Sequence, residues 1–294
     1  MVEKKPQVNI EEALKFRQKP YTVEFKNNDS ILYSLGIGFQ TDNMNKDHFK
    51  YTYENNEDFR SFPTNAVTIC HRGPFADGDF NVPGMPAFNP MMLLHGEESV
   101  IAHKPLVPGT TYEVQEKIAD LQDKGKGALL IFDSELRDIE SKELVSTVRS
   151  SLFIRGMGGF GYKGTVQTAY PKAPKRKPDV VREEKTEKNQ AFLYRLCNDR
   201  NPLHVDPQMS AMGGFDVPIL HGLCFYGFTA RSICEQFKID PDQIGEIGSR
   251  FTSHVFPGET LVVHGWKEGN TLIFNTTTKE RGKVVLIGFA HLKP

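Results

Sequence analysis

Thiols, net charge and long apolar runs are all scarce in this chain, and each scarcity removes a class of protein. The 294 residues hold four cysteines, Cys70, Cys197, Cys224 and Cys234. None forms a Cys-x-x-Cys pair, and four are too few for a disulfide framework at this length, so a reducing or neutral compartment is expected. Cys197 reads as a small buried filler, since free cysteine is among the most buried residue types. Lys and Arg number 36 against 37 Asp and Glu, which leaves no general electrostatic pull toward nucleic acid. No apolar run approaches the roughly 20 residues needed to cross a bilayer, so no membrane insertion is expected. Met1 to Lys5 is charged and lacks a signal-peptide core. No Gly-x-Gly-x-x-Gly follows a strand-like run, and His204, Asp206 and His221 match no common zinc spacing. No cofactor and no metal are expected.

The chain repeats itself weakly. Ile31-Leu32-Tyr33-Ser34-Leu35 matches Phe192-Leu193-Tyr194-Arg195-Leu196, Leu93-Leu94-His95-Gly96 matches Ile219-Leu220-His221-Gly222, and Pro108-Gly109-Thr110-Thr111 matches Pro257-Gly258-Glu259-Thr260. The three elements keep their order, which a duplicated unit explains. Strand-like alternation follows each Pro-Gly: residues 111–118, 128–133 and 145–154 in the first half, 260–266, 271–278 and 284–292 in the second. Gly269-Asn270 and Arg281-Gly282 read as hairpin turns. Residues 220–237 form a long, mostly apolar run that predicts a helix buried on nearly every side. Between the halves, Gly156-Met157-Gly158-Gly159-Phe160-Gly161 is too glycine-rich for a regular element, and Pro171-Lys172-Ala173-Pro174-Lys175-Arg176-Lys177-Pro178 reads as a stiff, solvated connector. The expected units are residues 1–163, a linker over 164–180, and residues 181–294.

Chemistry concentrates in the second half, in Asp199-Arg200-Asn201-Pro202-Leu203-His204 followed by His221-Gly222. Five residues of helix would turn through about 500°, so Asp199 and His204 would not share a helical face. Pro202 also pushes Asn201 out of the helical region. A loop is expected, in which carboxylate and imidazole converge to hold and deprotonate a water. Asn201 can orient a neighbour through its amide, and the Gly222 N–H, at the start of a helix, can polarise a carbonyl. Such parts suit addition of water to a double bond conjugated with a carbonyl. The first half lacks Asn-Pro-x-His at the matching place, so only one half keeps the chemistry. The other, with the apolar residues Val82 to Leu94, is expected to give room to a long acyl tail; methionines there adapt to irregular shapes.

The string Asp199-x-Asn201-Pro202-x-His204-x-Asp206 with Ile219-Leu220-His221-Gly222-Leu223-Cys224 resembles the signature of 2-enoyl-CoA hydratase 2, the R-specific, MaoC-like group of hot-dog proteins. The likeness is greatest to the hydratase unit of peroxisomal multifunctional enzymes of type 2 and runs from about Tyr21 to Leu292. One departure is Asn198, where the family usually has glycine; asparagine tolerates positive φ better than most residues. The resemblance implies an α+β double hot-dog fold, two curved antiparallel sheets each wrapped around a long central helix. It implies hydration of trans-2-enoyl-CoA to (3R)-3-hydroxyacyl-CoA in fatty-acid β-oxidation, with Asp199, His204, Asn201 and Gly222 as catalytic residues. Substrate contacts carried to matching positions fall on His95, Gly96, Lys124, Gly222 and Phe251; His221 is left structural. The resemblance points to the peroxisome, although His291-Leu292-Lys293-Pro294 is not a Ser-Lys-Leu type address. A separate 3-hydroxyacyl-CoA dehydrogenase is the expected downstream partner, and a pseudo-dimer within one chain leaves a homodimer open. The alternatives are a hot-dog acyl-CoA thioesterase and a non-catalytic acyl-CoA binding protein.

Overall fold

Runs of alternating and β-branched residues, cut by glycine turns, become ten strands: β1 (Tyr21–Phe25), β2 (Leu93–Ala102), β3 (Thr110–Asp123), β4 (Gly127–Asp138), β5 (Leu144–Arg155), β6 (Val180–Lys185), β7 (Ile244–Phe251), β8 (Thr260–Glu268), β9 (Thr271–Thr278) and β10 (Lys283–Leu292). The computed structural model describes residues 7–167 and 169–294; Met1 to Lys5 lie outside them. All ten strands join one antiparallel sheet in the order β1-β3-β4-β5-β2-β7-β10-β9-β8-β6. Each half contributes five strands in the same internal order, and the halves meet where β2 pairs with β7, Glu97 opposite Arg250 and Ser99 opposite Gly248.

Among the described residues, seven α-helices accompany the sheet: α1 (Ile10–Lys15), α2 (Asn27–Gly36), α3 (Phe49–Thr52), α4 (Ala66–Cys70), α5 (Gln190–Tyr194), α6 (Pro207–Met212) and α7 (Gly222–Phe237). The long apolar run is α7. Its residues from Leu223 to Cys234 are all buried, and Lys238 closes it in the left-handed conformation at φ 53°. Gly227 lets α2 come close: a Cβ there would sit 2.4 Å from Ile37 Cγ2 and 2.9 Å from Tyr33 Oη. The double hot-dog arrangement is present, with one difference from expectation. Among its described residues, the first half has no long central helix. Its counterpart of α7 is a 3-10 turn (Pro63–Asn65) and the five-residue α4. Gly73 and Pro74 follow closely, and both oppose helix continuation. Residues 71–89 instead run through turns and irregular segments, and Phe75, Phe80, Met85 and Phe88 pack with Ile118, Leu130 and Phe132 in a second hydrophobic cluster.

The repeat is therefore real in part. The Tyr33 and Tyr194 segments become α2 and α5, whose tyrosine rings face each other at 6.4 Å, and the Pro-Gly pairs precede β3 and β8. The match of Leu93–Gly96 with Ile219–Gly222 fails, because the first opens a strand and the second leads into a helix. Among the described residues, 156–179 form no helix or strand. The stretch is nevertheless tied down. The Asp123 carboxylate accepts the N–H groups of Gly125 at 2.7 Å and Gly159 at 3.0 Å, and Asp120 accepts those of Thr165 and Val166.

Arg231, in the middle of α7, is 1% exposed and links the halves. Its Nε donates to Ile37 O at 3.0 Å, Nη2 to Glu184 at 2.6 Å and Nη1 to Glu235 at 3.1 Å. Glu235 also meets His48 Nε2 at 3.0 Å and Arg182. Burial pushes the Glu235 carboxyl up, but the His48 bond and the charges of Arg231 and Arg182 outweigh it and bring it to about 2. A depressed carboxyl stabilises the fold fully above its ordinary 4.5, and that contribution fades as pH falls toward 2. Arg231→Met takes the most buried partner from Glu184 and Glu235, leaving Arg182 to serve both and His48 to serve Glu235, and is expected to cost roughly 3 kcal/mol in urea unfolding at neutral pH. The loss should shrink below about pH 4 as those carboxylates take up protons.

Candidate active site

The loop after α5 is shaped by its own residues. Asn198 adopts φ 72°, which turns the chain sharply ahead of Asp199. Asp199 Oδ1 accepts the Asn201 N–H at 3.1 Å, and Asn201 Oδ1 accepts the Leu203 N–H at 3.0 Å. Pro202 then opens a 3-10 turn (Pro202–His204) that brings the His204 ring beneath Asp199. Asn201 thus orients Asp199 through its backbone, while its exposed side chain caps the turn.

Backbone groups set the tautomers. His204 Nδ1 lies 2.8 Å from Ile219 O; a carbonyl only accepts, so Nδ1 donates and Nε2 of the neutral ring keeps a lone pair. His221 is reversed. Its Nδ1 accepts the Leu223 N–H at 3.0 Å, so the proton of the neutral ring sits on Nε2, facing Asp199 Oδ1 at 4.0 Å. Burial, then the neighbouring His204, His71 and His95, hold His221 well below its ordinary pKa, so this contact is no ion pair. One ligand atom each of Asp199, His204 and His221 lie within 4.8 Å of one another. A water about 2.8 Å from each could bridge them. Asp199 and His204 are only 8% and 7% exposed, yet Asp199 Oδ2 has no partner among the described residues. Burial raises the Asp199 carboxyl pKa, against the opposing pull of His204 and the Asn201 N–H. These spacings would also admit a metal ion, but His221 Nε2 carries a proton where a ligand needs a lone pair. Asp206 is spent capping α6, accepting from Gln208 at 2.8 Å.

The first half completes the wall. The His71 ring, at the end of α4, lies 6.2 Å from that of His221 and 6.3 Å from that of His95. Burial lowers His71 to about 4. His95 Nε2 meets Glu98 Oε2 at 2.8 Å, and Glu98 is fully buried. Gly96 falls at a β-bulge between His95 and Glu97, which re-aims the strand there. The Phe251 ring lies 5.3 Å from His95 and flanks Gly222, where a Cβ would sit 3.2 Å from it. Gly222 is the first residue of α7, so its N–H has no acceptor within the helix.

The structure thus gathers Asp199, His204, Gly222, His95, Gly96 and Phe251 into one region. Lys124 is exposed in the β3–β4 turn, at the same end of the sheet as Leu93. Three strand spacings, roughly 14 Å, separate them. His221, His71, Glu98 and Tyr194, whose ring lies 5.7 Å from that of His221, were not singled out in the sequence as site residues. His221 had a signal, a histidine placed to cap the helix that Gly222 opens; the others come together only through the fold.

Comparison with known proteins follows this geometry. The MFE-2 hydratase 2 N-terminal domain matches residues 23–156, and the MaoC like domain matches 169–287. A probable enoyl-CoA hydratase 2 of Dictyostelium discoideum is 37% identical, over 98% of this chain and 97% of its own. The peroxisomal multifunctional enzyme type 2 of Mus musculus is 41% identical over 87% of this chain, which spans only 35% of that protein. The crystal structure of a MaoC-like dehydratase from Phytophthora capsici superposes with a TM-score of 0.88 at 36% identity, covering 98% of both chains. This chain belongs to the enoyl-CoA hydratase 2 family of MaoC-like, double hot-dog proteins.

Proposed function

We propose that this chain adds water to trans-2-enoyl-CoA thioesters to form (3R)-3-hydroxyacyl-CoA in fatty-acid β-oxidation. The observation that carries this reading is the convergence of a partnerless Asp199 Oδ2 and the His204 Nε2 lone pair beside the helix start at Gly222. Water held between Asp199 and His204 gives a proton to His204 Nε2 while its oxygen bonds to C3. The C2–C3 electron pair moves toward the thioester oxygen, which accepts the Gly222 N–H. One such donor is worth about 3 kcal/mol to the transition state. The imidazolium, stabilised by Asp199, returns its proton to C2, so one water is added and the enzyme is unchanged.

The proposed division of labour leaves this chemistry to residues 181–294, with residues 164–180 as linker. Residues 1–163 then take the acyl tail along the stretch Val82 to Leu94, where Met91, Met92 and Leu94 stand exposed. Lys124 meets the phosphates of coenzyme A. The names of the relatives, one of them a peroxisomal hydratase-dehydrogenase-epimerase, support a peroxisomal setting and a 3-hydroxyacyl-CoA dehydrogenase as the consumer of the product.

Purified protein should remove the enoyl absorbance of crotonyl- and decenoyl-CoA without releasing thiol, and chiral analysis should show the 3R product. Thiol release from saturated acyl-CoA would instead mark a thioesterase. Asp199→Ala and His204→Ala should each lower kcat roughly 10²–10⁴-fold; near-normal rates in both would remove the mechanism. Protonating Asp199 removes an acceptor for the water, so kcat/KM should fall on acidification. Because burial raises this carboxyl, Asp199 should contribute to the acid limb above the usual carboxylate pKa of about 3.9. Lys124→Ala should raise KM several-fold with kcat unchanged, the pattern of lost ground-state binding.

A further inference from the structure

Directly after α4 stand His71 and Arg72, and their side chains reach opposite flanks of the catalytic loop. His71 packs toward His221. The Arg72 guanidinium reaches Asn198, the residue before Asp199. With the Asn198 amide oriented so that its oxygen faces the guanidinium, it accepts from Arg72 Nε at 2.9 Å and Nη2 at 3.1 Å. Arg72 is itself fixed: its Nη2 lies 3.2 Å from Asp29 Oδ1. Asp29 is anchored in turn, since its Oδ2 accepts the Lys26 N–H at 3.0 Å at the start of α2. A continuous tether therefore runs from the first half to the backbone that presents Asp199.

We propose that Arg72 is a positioning residue for the hydration reaction, holding Asn198 in its left-handed conformation so that Asp199 faces the reacting water. The reasoning is conformational. A side-chain-bearing residue at φ 72° is disfavoured relative to the right-handed region, and asparagine lowers that cost without removing it. Two hydrogen bonds from a planar, anchored guanidinium supply what the backbone alone does not. Arg72 touches neither the water nor the substrate in this scheme; it acts through Asn198. The first half thereby contributes to catalytic geometry as well as to acyl binding.

This inference rests on the hydratase reading, and a double-mutant cycle on the full chain with crotonyl-CoA tests it. Arg72→Met should lower kcat roughly 10- to 100-fold, the scale of a small misplacement of a catalytic group, with KM within about twofold of the parent. Asn198→Ala deletes the acceptor and keeps a Cβ that disfavours φ 72°, and should show the same pattern. The double variant should be no slower than the slower single variant, because both break one tether. Arg72→Lys, which keeps a charge and a donor, should recover part of the rate. Thermal unfolding checks that each variant is folded; should Arg72→Met fail to fold, Arg72→Lys and Asn198→Ala carry the test. Folded variants within twofold of the parent kcat, or losses that multiply in the double variant, overturn the proposal. A parent that does not hydrate overturns the hydratase reading and this one together; an active parent with indifferent variants overturns this one alone.

Discussion

A guanidinium buried at mid-helix is tolerated only where its charge and its donors are matched, and Arg231 organises the seam between the halves through that requirement. Glu184 on β6 and Glu235 on α7 neutralise it, and Ile37 O, just past α2, takes its Nε–H. The end of α2 is thereby held against α7. Gly38 marks how closely: at φ 85°, a Cβ there would sit 2.3 Å from the Phe228 ring. Since α2 packs on α5 through Tyr33 and Tyr194, the same constraint sets where α5 ends and where the loop to Asp199 begins.

The site combines low polarity with strict hydrogen-bond direction. Imidazoles from 71, 95, 204 and 221 follow one another across the seam. Burial keeps His71 and His221 neutral, which spares the site the mutual repulsion of adjacent cations. Backbone groups then decide which nitrogen bears the proton, so that His204 presents a lone pair and His221 an N–H. Two similar side chains, 4.7 Å apart between ring centres, stand beside Asp199 with opposite hydrogen-bonding character.

Much of this was legible in the amino-acid order because its cause is local. Alternation marked β3, β4, β5, β8, β9 and β10, and the apolar run at 220–237 marked α7. Pro202 marked the loop. What stayed hidden depends on distant partners. The apparent kinship of His95-Gly96 with His221-Gly222 dissolves because strand pairing with β5 and β7 claims the first and helix initiation the second. The short α4 shows only afterwards as the effect of Gly73 and Pro74. The approach of Arg72 to Asn198 spans 126 residues and leaves no periodic trace.

The pairing of β2 with β7 makes one sheet out of two covalently joined copies of a unit. Two free subunits meeting along this seam would come apart on dilution, and symmetry would force both to carry the same residues. Tethering removes both conditions at once. The walls around Asp199 are held together at any protein concentration, and a change in one copy need not be mirrored in the other. One copy could therefore lose its long helix while the other kept its histidines and carboxylate.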